Sequence, residues 1–102
     1  EKNKFIQVAK SPNNAKNNLW HTIFLIKNYH FKKKLINELK KNKIQTRLVW
    51  FPNHRQKHLK NFQSYKISNA DRLVKLSLCA PCGNHITKRN LNSIIKIINR
   101  IS

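Results

Sequence analysis

The stretch from residue 44 to residue 54 decides the fold prediction, because a run of strand-forming residues ends there at a proline. It reads Ile44-Gln45-Thr46-Arg47-Leu48-Val49-Trp50-Phe51-Pro52-Asn53-His54. Branched and aromatic residues over 44–51 predict a strand, and Pro52 ends it because proline lacks the N–H of a ladder hydrogen bond. Arg47 in this apolar run must reach water or an anion, because an unpaired charge is not buried. Its planar guanidinium suits a carboxylate or a phosphate, but an outward-facing strand residue fits the same pattern.

Two elements are predicted before this stretch. Residues 19–26 are rich in branched and aromatic side chains and predict a mostly buried strand. From Phe31 to Lys41 the apolar residues recur at helical spacing, which predicts an amphipathic helix with lysines on its wet side. Residues 1–18 are polar and rich in Asn and Lys, so we interpret them as a linker that leads into a domain over residues 19–102.

The remaining elements follow in order. Residues 53–66 predict irregular structure with a helical turn, residues 69–76 a short helix capped by Ser68 or Asn69, and residues 76–78 a short strand. Thr87 is placed to cap a final helix. Its apolar residues repeat at three- and four-residue steps, at Leu91, Ile94, Ile95, Ile98 and Ile101. The pattern predicts an α+β fold, a small two-layer domain whose short, mainly antiparallel sheet is covered by two longer helices.

Length and hydropathy limit the chain to one folded domain. The 102 residues, 39% of them hydrophobic, suffice for a single core. No apolar stretch approaches the roughly 20 residues that a membrane span requires. The N-terminal residues 1–4 lack the long apolar run of a secretory signal. We therefore expect a cytoplasmic protein with no membrane partner.

Net charge is the most extreme feature of the composition. Twenty-two Lys and Arg against three acids give +19, which is typical of a nucleic-acid binder. However, Lys, Asn and Ile make up 44 of the 102 residues, and A/T-rich codons alone would enrich all three. A small basic nucleic-acid-binding domain therefore stays open as the alternative function. If composition is the cause, nucleic acid should bind only non-specifically, through net charge.

Residues for other kinds of chemistry are scarce. The three acids, Glu1, Glu38 and Asp71, argue against catalysis by paired carboxylates, and the single glycine excludes a glycine-rich phosphate loop. Cys79 and Cys82 form one CxxC pair with His85 nearby, whereas a structural zinc site needs four ligands. Packing is favoured over a metal or redox role, so we expect no metal.

Several short segments resemble motifs of one enzyme family. They are Asn17-Asn18-Leu19-Trp20-His21-Thr22, residues 43–50 with Pro52 and His54, Ala70-Asp71-Arg72-Leu73, and residues 78–82 with Ile86-Thr87. In register with them, the DegT/DnrJ/EryC1/StrS sugar aminotransferases carry segments of the form SNYWLxxI, GIxTRxxWxPxH, and AExL followed by LCLPSSxxLT. The closing Ile-rich helix is similar to the last helix of that family. The resemblance covers about residues 5–101.

The resemblance implies the C-terminal small domain of a fold-type-I aminotransferase. Such an enzyme, expected to be a homodimer, would transfer an amino group from glutamate through pyridoxal phosphate to a nucleotide-linked keto-sugar. Members with the TRxxW form often serve surface-glycan pathways of the lipopolysaccharide or O-antigen type. In the family, the cofactor and its Schiff-base lysine belong to the large domain, upstream of residue 1. We therefore expect no catalytic, cofactor-binding or metal-binding residue in this chain, and no activity from the chain alone.

The resemblance also implies which residues line the substrate cleft. Arg47 is expected to hold a donor carboxylate, Trp50 to pack on the sugar or cofactor side, and His54 to bind a substrate carboxylate or hydroxyl. Two departures from the family pattern concern structure. Lys43 stands where glycine is usual, so the turn after the helix lacks a residue free to adopt a left-handed conformation. Cys82 falls on a serine position, which favours packing over metal binding.

Overall fold

Three strands form one antiparallel sheet in the computed structural model, which describes residues 3–18 and 20–102. They are β1 (Ile6–Val8), β2 (Ile23–Ile26) and β3 (Ser77–Cys79). Strand β2 is central and pairs with β1 on one edge and with β3 on the other. The short antiparallel sheet predicted from the sequence is confirmed.

Three α-helices and two short turns of 3-10 helix complete the described part of the chain. The helices are α1 (Tyr29–Lys41), α2 (Ser68–Leu76) and α3 (Lys88–Ile101), and the turns are Asn53–Arg55 and Lys57–Leu59. Asn28 is the N-cap of α1, and its side chain accepts a hydrogen bond of 2.8 Å from the Phe31 N–H. None of the helices in the described residues is long and apolar enough to cross a membrane.

The predicted cap of α3 by Thr87 is confirmed, and Asn90 adds a second hydrogen bond to it. The Thr87 side chain accepts from the Asn90 N–H at 3.2 Å, and the Asn90 side chain accepts from the Thr87 N–H at 3.1 Å. This reciprocal arrangement is a capping box, in which each side chain satisfies a backbone donor that the first helical turn leaves unpaired. The amide of Asn90 is therefore sufficient to complete the capping box.

The core lies between one face of the sheet and the two longer helices. Ile6, Ile26 and Leu78 point from the sheet to this face, and Leu35 and Leu39 of α1 are fully buried against them. Helix α3 closes the layer with its buried isoleucines, which are Ile94, Ile97, Ile98 and Ile101. Burying a side chain of this size contributes about 1.5–3 kcal/mol, so these few contacts supply most of the driving force. The predicted two-layer α+β arrangement is confirmed.

Part of the segment interpreted as a linker, residues 1–18, belongs to the sheet. Strand β1 lies within it, and the Phe5 ring stacks on Phe31 with 4.7 Å between ring centroids. Three residues are too few to show the alternation of a strand, and β1 is held by pairing with β2 rather than by its own sequence. The strand predicted over 19–26 is observed over its second half, and Leu19 lies outside the described residues.

The strand predicted over residues 44–51 is wrong. All eight residues are described, and among them the structure has one isolated bridge, between Arg47 and Cys79. Residues before Arg47 would lie beyond the end of β3 at Cys79, and the residues after Arg47 do not pair with β3. Leu48 and Phe51 favour strands by type, yet they remain 68% and 60% exposed. Residues of strand-forming type do not form a strand here because they are not paired with a neighbouring strand.

Two smaller predictions for the helices also differ from the structure. Helix α2 begins at Ser68, and Ile67 stands at its N-cap without a side-chain hydrogen bond, so neither Ser68 nor Asn69 is the cap. In α3, Ile97 takes a place on the buried stripe, whereas Leu91 and Ile95 are about half exposed. Leu91 lies before the first residue of the buried stripe, and Ile95 lies to one side of that stripe.

A buried lysine joins α1 to the end of α2. Lys32 is 4% exposed, and its ammonium donates to the carbonyls of Val74 and Lys75 at 3.2 and 3.0 Å. These carbonyls belong to the last turn of α2, where the helix dipole also favours a cation. Burial lowers the pKa of Lys32 because desolvation disfavours its charged form. The two carbonyls compensate the buried charge.

The turn after α1 is made by a lysine in a left-handed conformation. The Lys43 N–H bonds the Lys40 carbonyl at 3.0 Å, and the Ile44 N–H bonds the Leu39 carbonyl at 2.9 Å. This pair of bonds defines a Schellman motif, with Ile44 packed against the core as its hydrophobic contact. Lys43 has φ 58°, a region that costs an L-residue with a Cβ roughly 1–2 kcal/mol.

Replacing Lys43 with glycine should stabilise the chain. Glycine adopts this conformation freely, so Lys43→Gly should raise the free energy of unfolding by about 1 kcal/mol, less the extra entropy glycine gives the unfolded chain. The urea midpoint at an unchanged denaturant slope measures this difference. Lys43→Ala removes the charge but keeps the backbone cost, so it should give no gain. An equal gain from both variants would assign the effect to charge and contradict the backbone explanation.

Candidate functional site

A broad, open groove of about 1380 Å³ lies beside the edge of β3 that faces away from β2. Four parts of the described chain line it: residues 18, 20 and 21, the segment from 42 to 50, residues 79–86 and the N-terminal half of α3. Arg47 and Trp50, two of the three residues predicted to bind substrate, both belong to this lining. His54 does not line the groove, although it follows Trp50 by four residues.

Arg47 is fixed by its backbone and exposed at its side chain. Its N–H donates to the Cys79 carbonyl at 3.3 Å, and its carbonyl accepts from the Cys79 N–H at 2.8 Å. Among residues 3–18 and 20–102 no carboxylate pairs with the guanidinium, because Glu38 and Asp71 are held by other cations. The groove thus contains a rigidly mounted, exposed cation that can take an anion.

An aromatic cluster of Trp20, His21 and Trp50 forms one wall of the groove. The ring centroids of Trp20 and His21 are 4.4 Å apart, those of His21 and Trp50 are 4.9 Å apart, and the two indoles are 6.2 Å apart. Trp20 is 71% exposed and Trp50 62%, so much of each indole is free to contact a further ring or a sugar face. Sequence reasoning placed Trp20 and His21 in a strand and missed them, although they lie in the segment that resembles SNYWLxxI.

Cys82 contacts the same cluster. Its sulfur lies 3.2 Å from the Trp20 carbonyl oxygen and 3.9 Å from Nδ1 of His21, while Nε2 of His21 is buried without a partner among the described residues. Burial, with a smaller contribution from Cys82, raises the pKa of the Cys79 thiol, which makes it a poor nucleophile or ligand. The described residues contain no group of three or more His, Cys, Asp and Glu side chains placed to hold a metal ion.

His54 is bound to a carboxylate of α2. Its Nε2 lies 3.0 Å from Oδ1 of Asp71, and Arg55 donates to both oxygens of the same carboxylate at 2.7 Å. His54 and Asp71 are 17 residues apart, so no local sequence pattern indicates this contact. The hydrogen bonds from Arg55, with its charge and His54 in support, hold the pKa of Asp71 below its usual range.

The described residues do not form a complete site for pyridoxal phosphate. The cofactor needs a lysine for its Schiff base, and the buried lysine of the described residues, Lys32, binds two carbonyls of α2 instead of facing the groove. Lys43 lines the groove but is exposed at the turn after α1. We therefore derive no step through this cofactor from the present residues.

Acid should destabilise the chain through Asp71. Its folded pKa lies below the usual carboxyl value of about 3.9, so the stabilisation is present above that value and is lost as pH falls through the folded pKa. A melting-temperature series from neutral to strongly acidic pH measures this loss. Asp71→Asn should show a smaller acid-induced fall than wild type, and Arg55→Ala a similarly reduced one. Glu38, whose pKa is lowered by Lys41 and Arg100, contributes to the acid-induced fall that remains. An acid-induced fall unchanged by Asp71→Asn would contradict this role.

Comparison with a solved structure confirms the fold. The chain is similar to an aminotransferase, TlmJ, from Streptoalloteichus hindustanus, with a TM-score of 0.81 and 11% sequence identity. The similarity covers 96% of this chain and 26% of that one, so the present chain spans about a quarter of its length. At this identity the likeness shows the fold alone.

The sequence also matches a family model, described as the DegT/DnrJ/EryC1/StrS aminotransferase family, over residues 1–99. This range includes all four segments that line the groove and the segment that carries His54. Because the match extends over nearly the whole chain, the protein belongs to the DegT/DnrJ/EryC1/StrS aminotransferase family.

Proposed function

We propose that this chain is the C-terminal small domain of a pyridoxal-phosphate-dependent aminotransferase. The enzyme would transfer an amino group from glutamate to a nucleotide-linked keto-sugar, in surface-glycan biosynthesis of the lipopolysaccharide or O-antigen type. The observation that supports this most directly is the exposed Arg47 guanidinium in the groove, beside two exposed indoles, in a chain of this family. A cation and an aromatic wall side by side suit a ligand that carries both an anionic group and a ring.

Arg47 is proposed to bind the carboxylate of the amino donor. A guanidinium presents two parallel N–H donors that match the two oxygens of a carboxylate. The backbone bonds to Cys79 hold the base of this side chain in place, so less conformational freedom is lost on binding. The position of Arg47 within the groove lining is consistent with this role.

Trp50 is proposed to pack against the sugar or the cofactor, with Trp20 extending the same surface. The apolar faces of both kinds of ring pack against indole, and the exposed fractions of the two tryptophans leave room for such contact. His54 is proposed to bind a polar group of the substrate through the ring nitrogen that Asp71 does not engage. These roles concern binding and orientation, and none of them moves a proton or an electron pair.

The cofactor and the lysine that binds it are assigned to a large domain outside these residues. When bound, pyridoxal phosphate supplies the electron sink of transamination. We further propose a cytoplasmic homodimer, and we expect the +19 charge to attract nucleic acid only non-specifically, through release of counterions.

Arg47→Lys in the full-length enzyme should weaken use of the amino donor. Lysine keeps the charge but cannot form the paired hydrogen bonds. A charge-assisted hydrogen bond contributes about 1.5–3 kcal/mol, so kcat/KM for glutamate should fall roughly 10- to 150-fold. Steady-state kinetics measure this change, with the cofactor absorbance recorded in parallel.

Arg72→Lys is the matched control, because Arg72 is an exposed arginine of α2 that does not line the groove. This variant should keep wild-type kinetics. Wild-type kcat/KM in Arg47→Lys would show that Arg47 is structural. Loss of the cofactor band in that variant would place Arg47 at the cofactor instead of the donor.

A further inference from the structure

The carboxylate of Asp71 receives three hydrogen bonds from the loop that follows Pro52. Oδ1 accepts from Nε2 of His54 at 3.0 Å and from Nε of Arg55 at 2.7 Å, and Oδ2 accepts from a terminal nitrogen of Arg55 at 2.7 Å. The side chains of His54 and Asp71 are 19% and 29% exposed, so water competes only partly for these bonds. The contact joins a predicted substrate-binding residue to a helix that forms no part of the groove lining.

The direction of the His54 bond follows from the state of Asp71. Arg55 holds the pKa of Asp71 below its usual range, so the carboxylate is ionised at neutral pH and both oxygens only accept. The Nε2 atom of His54 must therefore be the donor. A neutral imidazole carries one N–H, so Nδ1 then holds a lone pair, and it has no partner among the residues that the structure describes.

Asp71 and its partners His54 and Arg55 lie on separate elements, since Asp71 belongs to α2 and the other two to the turn Asn53–Arg55. The loop has its own turn bonds, from the Arg55 N–H to the Pro52 carbonyl and from the Gln56 N–H to the Asn53 carbonyl, both 3.0 Å. These bonds fix the backbone but leave the rotation of the His54 ring free. Asp71 sits on α2, which the buried ammonium of Lys32 ties to α1. The ring orientation is thus set from the packed body of the domain.

We infer that Asp71 is a positioning residue for His54, which it holds with Nε2–H directed to the carboxylate and with Nδ1 left as an acceptor for a hydroxyl group of a sugar ligand. The identity of that ligand rests on the proposed function, whereas the orientation of the ring does not. A nitrogen that accepts hydrogen bonds pairs with a hydroxyl and repels a carboxylate. His54 and Arg47 would therefore bind different groups of the ligands. Arg47 takes the carboxylate of the donor, and His54 takes the hydroxyl of the sugar.

Nuclear magnetic resonance of the ¹⁵N-labelled chain tests the orientation at about pH 8, at the upper limit of the range in which imidazole titrates. The wild-type chain should show a His54 ring N–H signal on Nε2, because the hydrogen bond slows exchange of that proton with water. Asp71→Ala should lose the signal. Arg55→Ala and Asp71→Asn should keep it, because each retains an oxygen that accepts from Nε2. The exposed His58 is an internal reference and should show no such signal in any variant.

Two results would overturn the orientation. One is a wild-type His54 signal on Nδ1, and the other is a signal on Nε2 that persists in a folded Asp71→Ala chain. Should Asp71→Ala fail to fold, the wild-type assignment and the Arg55→Ala spectrum still decide. The Arg55→Ala variant removes the ion pair with Asp71 but keeps the carboxylate that accepts from His54, so its spectrum separates the two effects.

Titration of the wild-type chain tests whether Nδ1 of His54 binds a sugar hydroxyl. UDP-glucose, UDP and glutamate are the separate probes. UDP-glucose should shift the His54 Nδ1 resonance, whereas UDP, which lacks the hexose, and glutamate should leave it unchanged. A shift caused by glutamate would reassign His54 to a carboxylate, and no shift from UDP-glucose would remove its assignment to a sugar hydroxyl. Neither of these two titration results depends on the kinetics of Arg47→Lys, which test the proposed function. Failure of the His54 assignment can therefore be told apart from failure of the proposed function.

Discussion

Backbone pairing at Cys79 joins the sheet to the groove. On one side Cys79 pairs with Ile23 of β2, and on the other it exchanges two hydrogen bonds with Arg47. Each such bond contributes about 1 kcal/mol net, and together they hold the backbone of Arg47 beside Cys79. Cys79 is 7% exposed, so this junction lies in the buried part of the domain. This junction positions two walls of the groove. One wall is the segment that Arg47 ties to Cys79, and the other is the segment that follows Cys79 along the chain.

The elements that the sequence predicted well are those with local signals. Helix α1 has helical spacing of apolar residues, and α3 has both that spacing and the Thr87 cap, and both elements follow from contacts within a few residues. Strand β1 has no such signal, since its three residues are held by the edge of β2. The 44–51 segment shows the opposite case. It has the residue types of a strand, but it pairs with β3 at one position, Arg47 with Cys79, and then leaves that edge.

The site was predictable to the extent that it lies on one segment. Arg47 and Trp50 are three residues apart, and the structure brings both to the groove. His54 follows on the same segment, yet its side chain turns to Asp71, and that contact depends on how α2 packs. The meeting of Trp20 and His21 with Trp50 likewise depends on the sheet, because it joins parts of the chain about 30 residues apart. Contacts of this kind are set by tertiary packing and leave no mark on a short window of sequence.

The buried position of Lys32 gives the lysines of this chain unequal chemical reactivity. An aldehyde or an activated ester attacks an amine that is exposed and unprotonated, and most of the described lysines lie on the surface. Lys32 is shielded from such reagents, and its ammonium protons are engaged by two carbonyl oxygens. Surface labelling would therefore modify many lysines in a heterogeneous mixture and spare this one while the fold is intact. The modification state of Lys32 thus reports whether α1 and α2 remain docked.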